Sequence, residues 1–169
     1  EGRSYTGDMD DNGNWTNFYY SNSTWNMAQV DVDAVNPTFV STPGIDNSAG
    51  NVNHHDWVYN ATCDKFYTLE AGGQKLLVAD HKATPPTVGV VTTYSGLDGG
   101  AYGAAWADVD GNLYFSNNGS GKIYKITMDG GCSPTNIEVV MTGSSTSNND
   151  GMSCPYSPEI EFGGADTDG

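Results

Sequence analysis

The feature that most constrains this chain is an internal repeat. A single offset of 47 residues lays Asp56–Gly96 on Gly103–Gly143 without a gap. Phe66-Tyr67 falls on Leu113-Tyr114, Lys75-Leu76-Leu77 on Lys122-Ile123-Tyr124, and Val90 on Ile137; Gly72 and Gly96 fall on Gly119 and Gly143. A weaker third copy lies upstream, with Tyr19-Tyr20 on Phe66-Tyr67, and Val30, Val32 and Asp33 on Leu77, Ala79 and Asp80. Few residues are identical, but apolar positions, turns and spacing coincide. A fixed period in the forties with four strands per unit is the pattern of propeller blades.

The unit is clearest at AYGAAWADVDGNLYFSNNGSGKIYKITM, Ala101 to Met128. Tyr102–Ala107 is small and apolar, as in a strand buried on both faces. Asp110-Gly111 suits a type I′ hairpin, and Asn118-Gly119-Ser120-Gly121 a second turn. In Lys122–Thr127 the alternation points Ile123 and Lys125 one way, Tyr124 and Ile126 the other. In the first unit the expected strands are Asn17–Tyr20, Ala28–Asp33 and, outermost, Thr38–Ser41, with a turn at Trp25-Asn26. Thr42–His55 reads as a linker, and the later outer strands fall at Val88–Thr93 and Ile137–Thr142.

The expected fold is therefore all-β, a β-propeller-like array of about three four-stranded antiparallel blades. The blades span about residues 1–50, 51–98 and 99–146, followed by an extra C-terminal strand at Pro158–Phe162 within a tail, 147–169. Three blades and a strand are too few for a closed ring, and open edges invite pairing with another chain. The reading is head-to-tail assembly of identical chains into a filament or other surface assembly. Ile160 and Phe162 of one copy would fill the core of the next.

Composition narrows the partners. A net charge of −15 with six Lys and Arg argues against nucleic acid and anionic membrane. No apolar run is long enough for a membrane-spanning helix. Four N-x-[ST] sequons, at Asn14, Asn22, Asn60 and Asn118, each fall in or beside an expected turn, where N-linked glycans would stand clear of the fold. Together with three cysteines they indicate a secreted, extracellular glycoprotein. Cys132 and Cys154 bracket the last blade strand and a polar loop, and a disulfide between them is expected. Cys63 would be left over; three free thiols are the alternative.

Asp8-Met9-Asp10-Asp11-Asn12-Gly13 follows the D-x-D-x-N-G pattern of calcium loops, with Asp8, Asp10 and Asn12 as candidate ligands. The twelfth position is Tyr19 instead of a bidentate Glu, so a calcium site and a plain Asx-turn both fit. Asp108-x-Asp110-Gly111 is a shorter version, read as a hairpin turn. No catalytic set assembles. His54-His55-Asp56 is the compact polar cluster, and a catalytic reading would need His54 or His81 in a cleft beside a carboxylate with a strongly shifted pKa. The alternatives to a structural protein are therefore a carbohydrate- or ligand-binding module and, behind it, a propeller hydrolase or lyase. Trp57 and Trp106 are expected to share one face of the innermost strands as core. Trp15 and Trp25 remain candidates for ligand stacking.

The run YGAAWADVDGNLYFSNNGSGKIYKITM, with NNDGMSCP after it, resembles a propeller-like repeat domain of unknown function found in large secreted microbial and algal surface proteins. The resemblance covers about residues 56–155. Where that family reads D-G-A-R-C, this chain has Asp150-Gly151-Met152-Ser153-Cys154, so the Cys is matched and the Arg is not. The resemblance implies an extracellular surface protein and carries over no catalytic residue.

Overall fold

A computed structural model describes residues 7–32, 34–47, 49–50, 53–72, 74–147, 149 and 151. The expected C-terminal strand, with Ile160 and Phe162, and the expected bridge partner Cys154 lie outside the described residues. Twelve strands and no helix occur among those described.

The strands form three antiparallel meanders of four. The first blade is β1 (Asp8–Met9), β2 (Asn14–Ser21), β3 (Thr24–Asp31) and β4 (Phe39–Asn47). The second is β5 (Val58–Asn60), β6 (Lys65–Leu69), β7 (Lys75–Asp80) and β8 (Thr87–Thr93), and the third is β9 (Tyr102–Ala107), β10 (Leu113–Asn117), β11 (Lys122–Met128) and β12 (Pro134–Thr142). A short parallel pairing, Asp46 with Thr87 and Asn47 with Val88, joins the outer strands of the first two blades.

The second blade buries both its faces, because its strands alternate and a blade lies on either side of it. One core lies between the first and second blades, around Phe18, Trp25, Met27, Trp57, Tyr59, Phe66 and Leu77. The other lies between the second and third, around Val58, Tyr67, Leu69, Leu76, Leu113, Phe115, Tyr124 and Ile126. Residues paired directly across strands share a face, so each blade carries a cross-strand row toward the blade before it. In the second blade that row is Tyr59–Phe66–Ala79–Val88, all at most 1% exposed. In the third it is Ala107–Leu113–Ile126–Ile137, of which the first three are buried and Ile137 packs against the same core.

These registers uphold the 47-residue offset through the middle strands, where Phe66 and Ala79 match Leu113 and Ile126. It fails at the blade's margins. Between Tyr59 and Phe66 the chain has one residue more than between Ala107 and Leu113, so the innermost strands match at an offset of 48. A slip of one residue reverses every face. Trp57 therefore lies in the core toward the first blade, whereas Trp106 lies on the third blade's far face, stacked on Tyr114. The expectation that both share one face is corrected accordingly. In the outer strands it is Val88, not Val90, that matches Ile137. In the first blade Trp15, not Tyr19, sits at the position of Phe66, and Trp25 lies within β3.

The short turns share one chemistry. Asp10, Asp108 and Asp129 each open a three-residue loop, accepting backbone N–H groups from the residues two or four positions on. The last loop residue in each case has positive φ: Gly13, Gly111 and Cys132. This is a type I turn followed by a left-handed residue, not the type I′ turn expected at Asp110-Gly111, because Asp110 keeps negative φ.

Candidate functional site

The β1–β2, β5–β6, β7–β8, β9–β10 and β11–β12 turns all lie at one end of the blade stack, as alternate turns of a meander must. At that rim the loop side chains of neighbouring blades meet, Asp10, Asp11, Asp64, His81 and Lys82 among them.

Where the first and second blades meet, His81, at the start of the β7–β8 turn, lies between two carboxylates. Its Nε2 is 3.6 Å from Asp10 Oδ2 of the first blade and 3.9 Å from Asp64 Oδ1 of its own. Neither distance is a hydrogen bond. The ring packs edge-on against Phe66 and Tyr59, its side chain is 4% exposed, and neither ring nitrogen has a hydrogen-bond partner. Burial pushes the imidazole below its ordinary pKa, while Asp64, Asp10 and Asp80 pull upward and Lys82 downward. Asp64 accepts hydrogen bonds from the Tyr59 hydroxyl at 2.8 Å and Lys82 Nζ at 2.7 Å. Burial opposes its ionisation, but those two donors hold the carboxyl below the usual range. The Tyr59 phenol is raised well above its ordinary value, by burial and then by Asp64 and Asp11.

This is the sequence-level condition for a catalytic histidine met in part: His81 stands beside carboxylates with its pKa displaced. Its nitrogens are enclosed, so a reacting atom reaches them only if the two blades part. His54 has a packing role, with Nε2 3.0 Å from the Phe18 carbonyl oxygen and its ring against Trp25 and Trp57.

The three residues read as calcium ligands have separate partners. Asp8 accepts from Met9 N and, across the seam between blades, from Tyr59 N at 2.9 Å. Asp10 accepts from the backbone of Asn12 and Asn14 and from the Asn14 side chain. Asn12 is exposed and donates to Asp11. The Asx-turn alternative thus describes the D-x-N-G pattern directly.

Asp8 has a counterpart that the sequence did not announce. Asp56, fully buried just before β5, accepts from Ala105 N at 2.7 Å, so an aspartate at the start of each of the first two blades reaches a backbone N–H of the next blade's inner strand. The two acids are 48 residues apart, but by register Met9 matches Tyr59, so Asp8 stands at the position of Val58 and no single offset marks the pair. The second and third blades are tied twice more. Asn60 Nδ2 donates to the Gly111 carbonyl at 2.7 Å, and Cys63 is disulfide-bonded to Cys132.

That bond corrects the expected Cys132–Cys154 pairing. Cys63 and Cys132 are 69 residues apart in sequence, but the β5–β6 and β11–β12 turns share the rim and bring their Cα atoms to 5.7 Å. Asn60 does not fit its reading as a glycan acceptor either. It is 0% exposed, and the nitrogen a glycan needs is the one bound to Gly111. Asn14 is occupied by Asp10, and Asn118 accepts from Gly103 N. Asn22, exposed at the tip of the β2–β3 turn, stands clear. Of the two tryptophans left for ligand stacking, Trp25 is 0% exposed and donates to the Gly50 carbonyl, and Trp15 is half-buried.

Repeated four-stranded antiparallel blades, packed face to face and tied through their inner strands, define a β-propeller-like repeat protein. The chain belongs to the family described as a repeat of unknown function, DUF6923, whose model matches residues 2–156. Among solved structures it is similar to a luciferin-regenerating enzyme, with a TM-score of 0.55 at 15% identity, over 83% of this chain and 47% of that one. The likeness is one of fold, and the chain spans about half the length of that protein. No curated protein matches the chain.

Proposed function

We propose that this chain is an extracellular structural repeat module, without catalytic activity of its own, that associates with copies of itself head to tail. The observation that carries this reading is where its polar chemistry goes. Asp8, Asp10, Asp56, Asn60 and Asp108, the side chains of the types that bind or catalyse, are bound to the backbone of their own turns or of the neighbouring blade. A disulfide between blades fits an oxidising compartment, and Asn22 is the sequon best placed for a glycan. Calcium at Asp8, Asp10 and Asn12 would have to take over carboxylates now bound to N–H groups; a melting temperature that falls on adding EGTA would reveal it. The test of the main reading is sedimentation velocity over a wide concentration range. The sedimentation coefficient rises with concentration if the module self-associates, and a value that stays at the monomer's throughout contradicts it.

A further inference from the structure

The first blade carries the same backward-facing row as the other two. Met9 pairs with Trp15, Trp15 with Val30 and Val30 with Phe39, the register that gives Tyr59–Phe66–Ala79–Val88 and Ala107–Leu113–Ile126–Ile137 in the blades that follow. Phe18 and Met27, three positions from Trp15 and Val30 along their strands, pack toward the second blade, so this row points the other way. In the second and third blades the row is covered by the preceding blade. In the first, Met9, Trp15 and Val30 are half-buried and Phe39 is 65% exposed.

We infer that the row Met9–Trp15–Val30–Phe39 is a docking face for the far face of the third blade of a second copy of this chain, continuing the blade stack from one molecule into the next. This rests on the self-association proposed above and names its surface. The occupant follows from the repeat. The second blade covers the third with a forward face that includes Tyr67 and Leu76, and the 47-residue offset puts Tyr114 and Ile123 at those positions on the third blade's forward face. Tyr114 lies under the stacked Trp106 ring, and the part of that face open to a partner runs through Ile123 to its cross-strand neighbour Met141, 48% exposed. A row built to lie beneath a forward face thus has such a face on the third blade. Joining unlike faces makes the contact head-to-tail. That face also carries Ser116, Lys125 and Glu138 around its apolar strip, and because each copy carries a net charge of −15, association strengthens as salt screens the repulsion.

The test is sedimentation velocity on four samples: wild type, Phe39→Glu, Met141→Glu and an equimolar mixture of the two variants. Both side chains are exposed in the single copy, so folding, followed by circular dichroism, should be unchanged. Each variant alone should lose self-association by about tenfold or more, the effect of a charge placed in an apolar contact. The mixture should recover a one-to-one dimer and nothing larger, because each variant retains one intact face, and Phe39→Leu should behave as wild type. Wild-type association that survives Phe39→Glu overturns this docking face and leaves self-association standing through another surface. A mixture that stays monomeric overturns the choice of the third blade as occupant. A wild type that is monomeric at every concentration and salt overturns both this inference and the proposed function.

Discussion

The two seams between blades are built on the same plan and held by different chemistry. Between the first and second blades the core is aromatic, with Phe18, Trp57 and Phe66 rings 5.2–5.6 Å apart at tilted angles. Its rim is ionic: Asp10, Asp11, Asp64, His81 and Lys82. Between the second and third blades the core is more aliphatic, and the rim is closed by Cys63–Cys132 and the Asn60–Gly111 hydrogen bond, neither of which titrates. What the two share is a buried aspartate, Asp8 or Asp56, that accepts a backbone N–H from across the seam. A repeat protein can therefore keep one packing rule and still make one junction sensitive to pH and another to reduction, because its turns vary while its strand faces cannot.

The largest effect expected is on the covalent seam. Replacing Cys63 and Cys132 together with Ala should destabilise the protein by about 4 kcal/mol, the chain-entropy value for a loop of this length. Chemical denaturation measures it. A loss no greater than that from one surface substitution would mean that the disulfide contributes little to joining these blades. Truncating the aromatic seam, Phe66→Ala, should cost about 3–5 kcal/mol and so test whether packing there matches the covalent link opposite.

Next come the shared aspartates. Asp8→Ala and Asp56→Ala each remove the acceptor of a buried backbone N–H across a seam, and each should cost about 1–3 kcal/mol. If one costs nothing, the two seams are not tied by a common device.

The smallest effect should separate the seams by pH. His81 is held below its ordinary 6.5 by burial, so on acidification the unfolded chain takes up the proton first. The stability associated with neutral His81 is thus complete above about pH 6.5 and is lost as pH falls through the interval down to its lowered folded value. Melting temperatures at about pH 7.5 and 5.5 should differ in wild type, and His81→Phe should reduce that difference. An unchanged pH dependence in the variant would show that another group dominates.

Much of this architecture was legible in the sequence because strand alternation and turn spacing repeat with the fold. The faces of Tyr124 and Ile126 and the strand Tyr102–Ala107 follow from pattern alone. What was hidden depends on single-residue length changes and on contacts between blades. One extra residue in the turn after Tyr59 turns Trp57 to the opposite face from Trp106, and no composition signal marks it. The Cys63 partner is set by which turns share a rim, and sequence proximity to Cys154 gives no information about that. The D-x-D-x-N-G pattern fits a calcium loop and an Asx-turn alike, because both need the same residue types; the donors around Asp10 are set by the folded loop.

Images of the purified protein by negative-stain electron microscopy, at low and high concentration, bear most directly on the central claim that the blade stack continues between molecules. The account predicts rows or closed rings of particles spaced by one three-blade unit, growing in number with concentration and salt. Single, unconnected particles under every condition would contradict it.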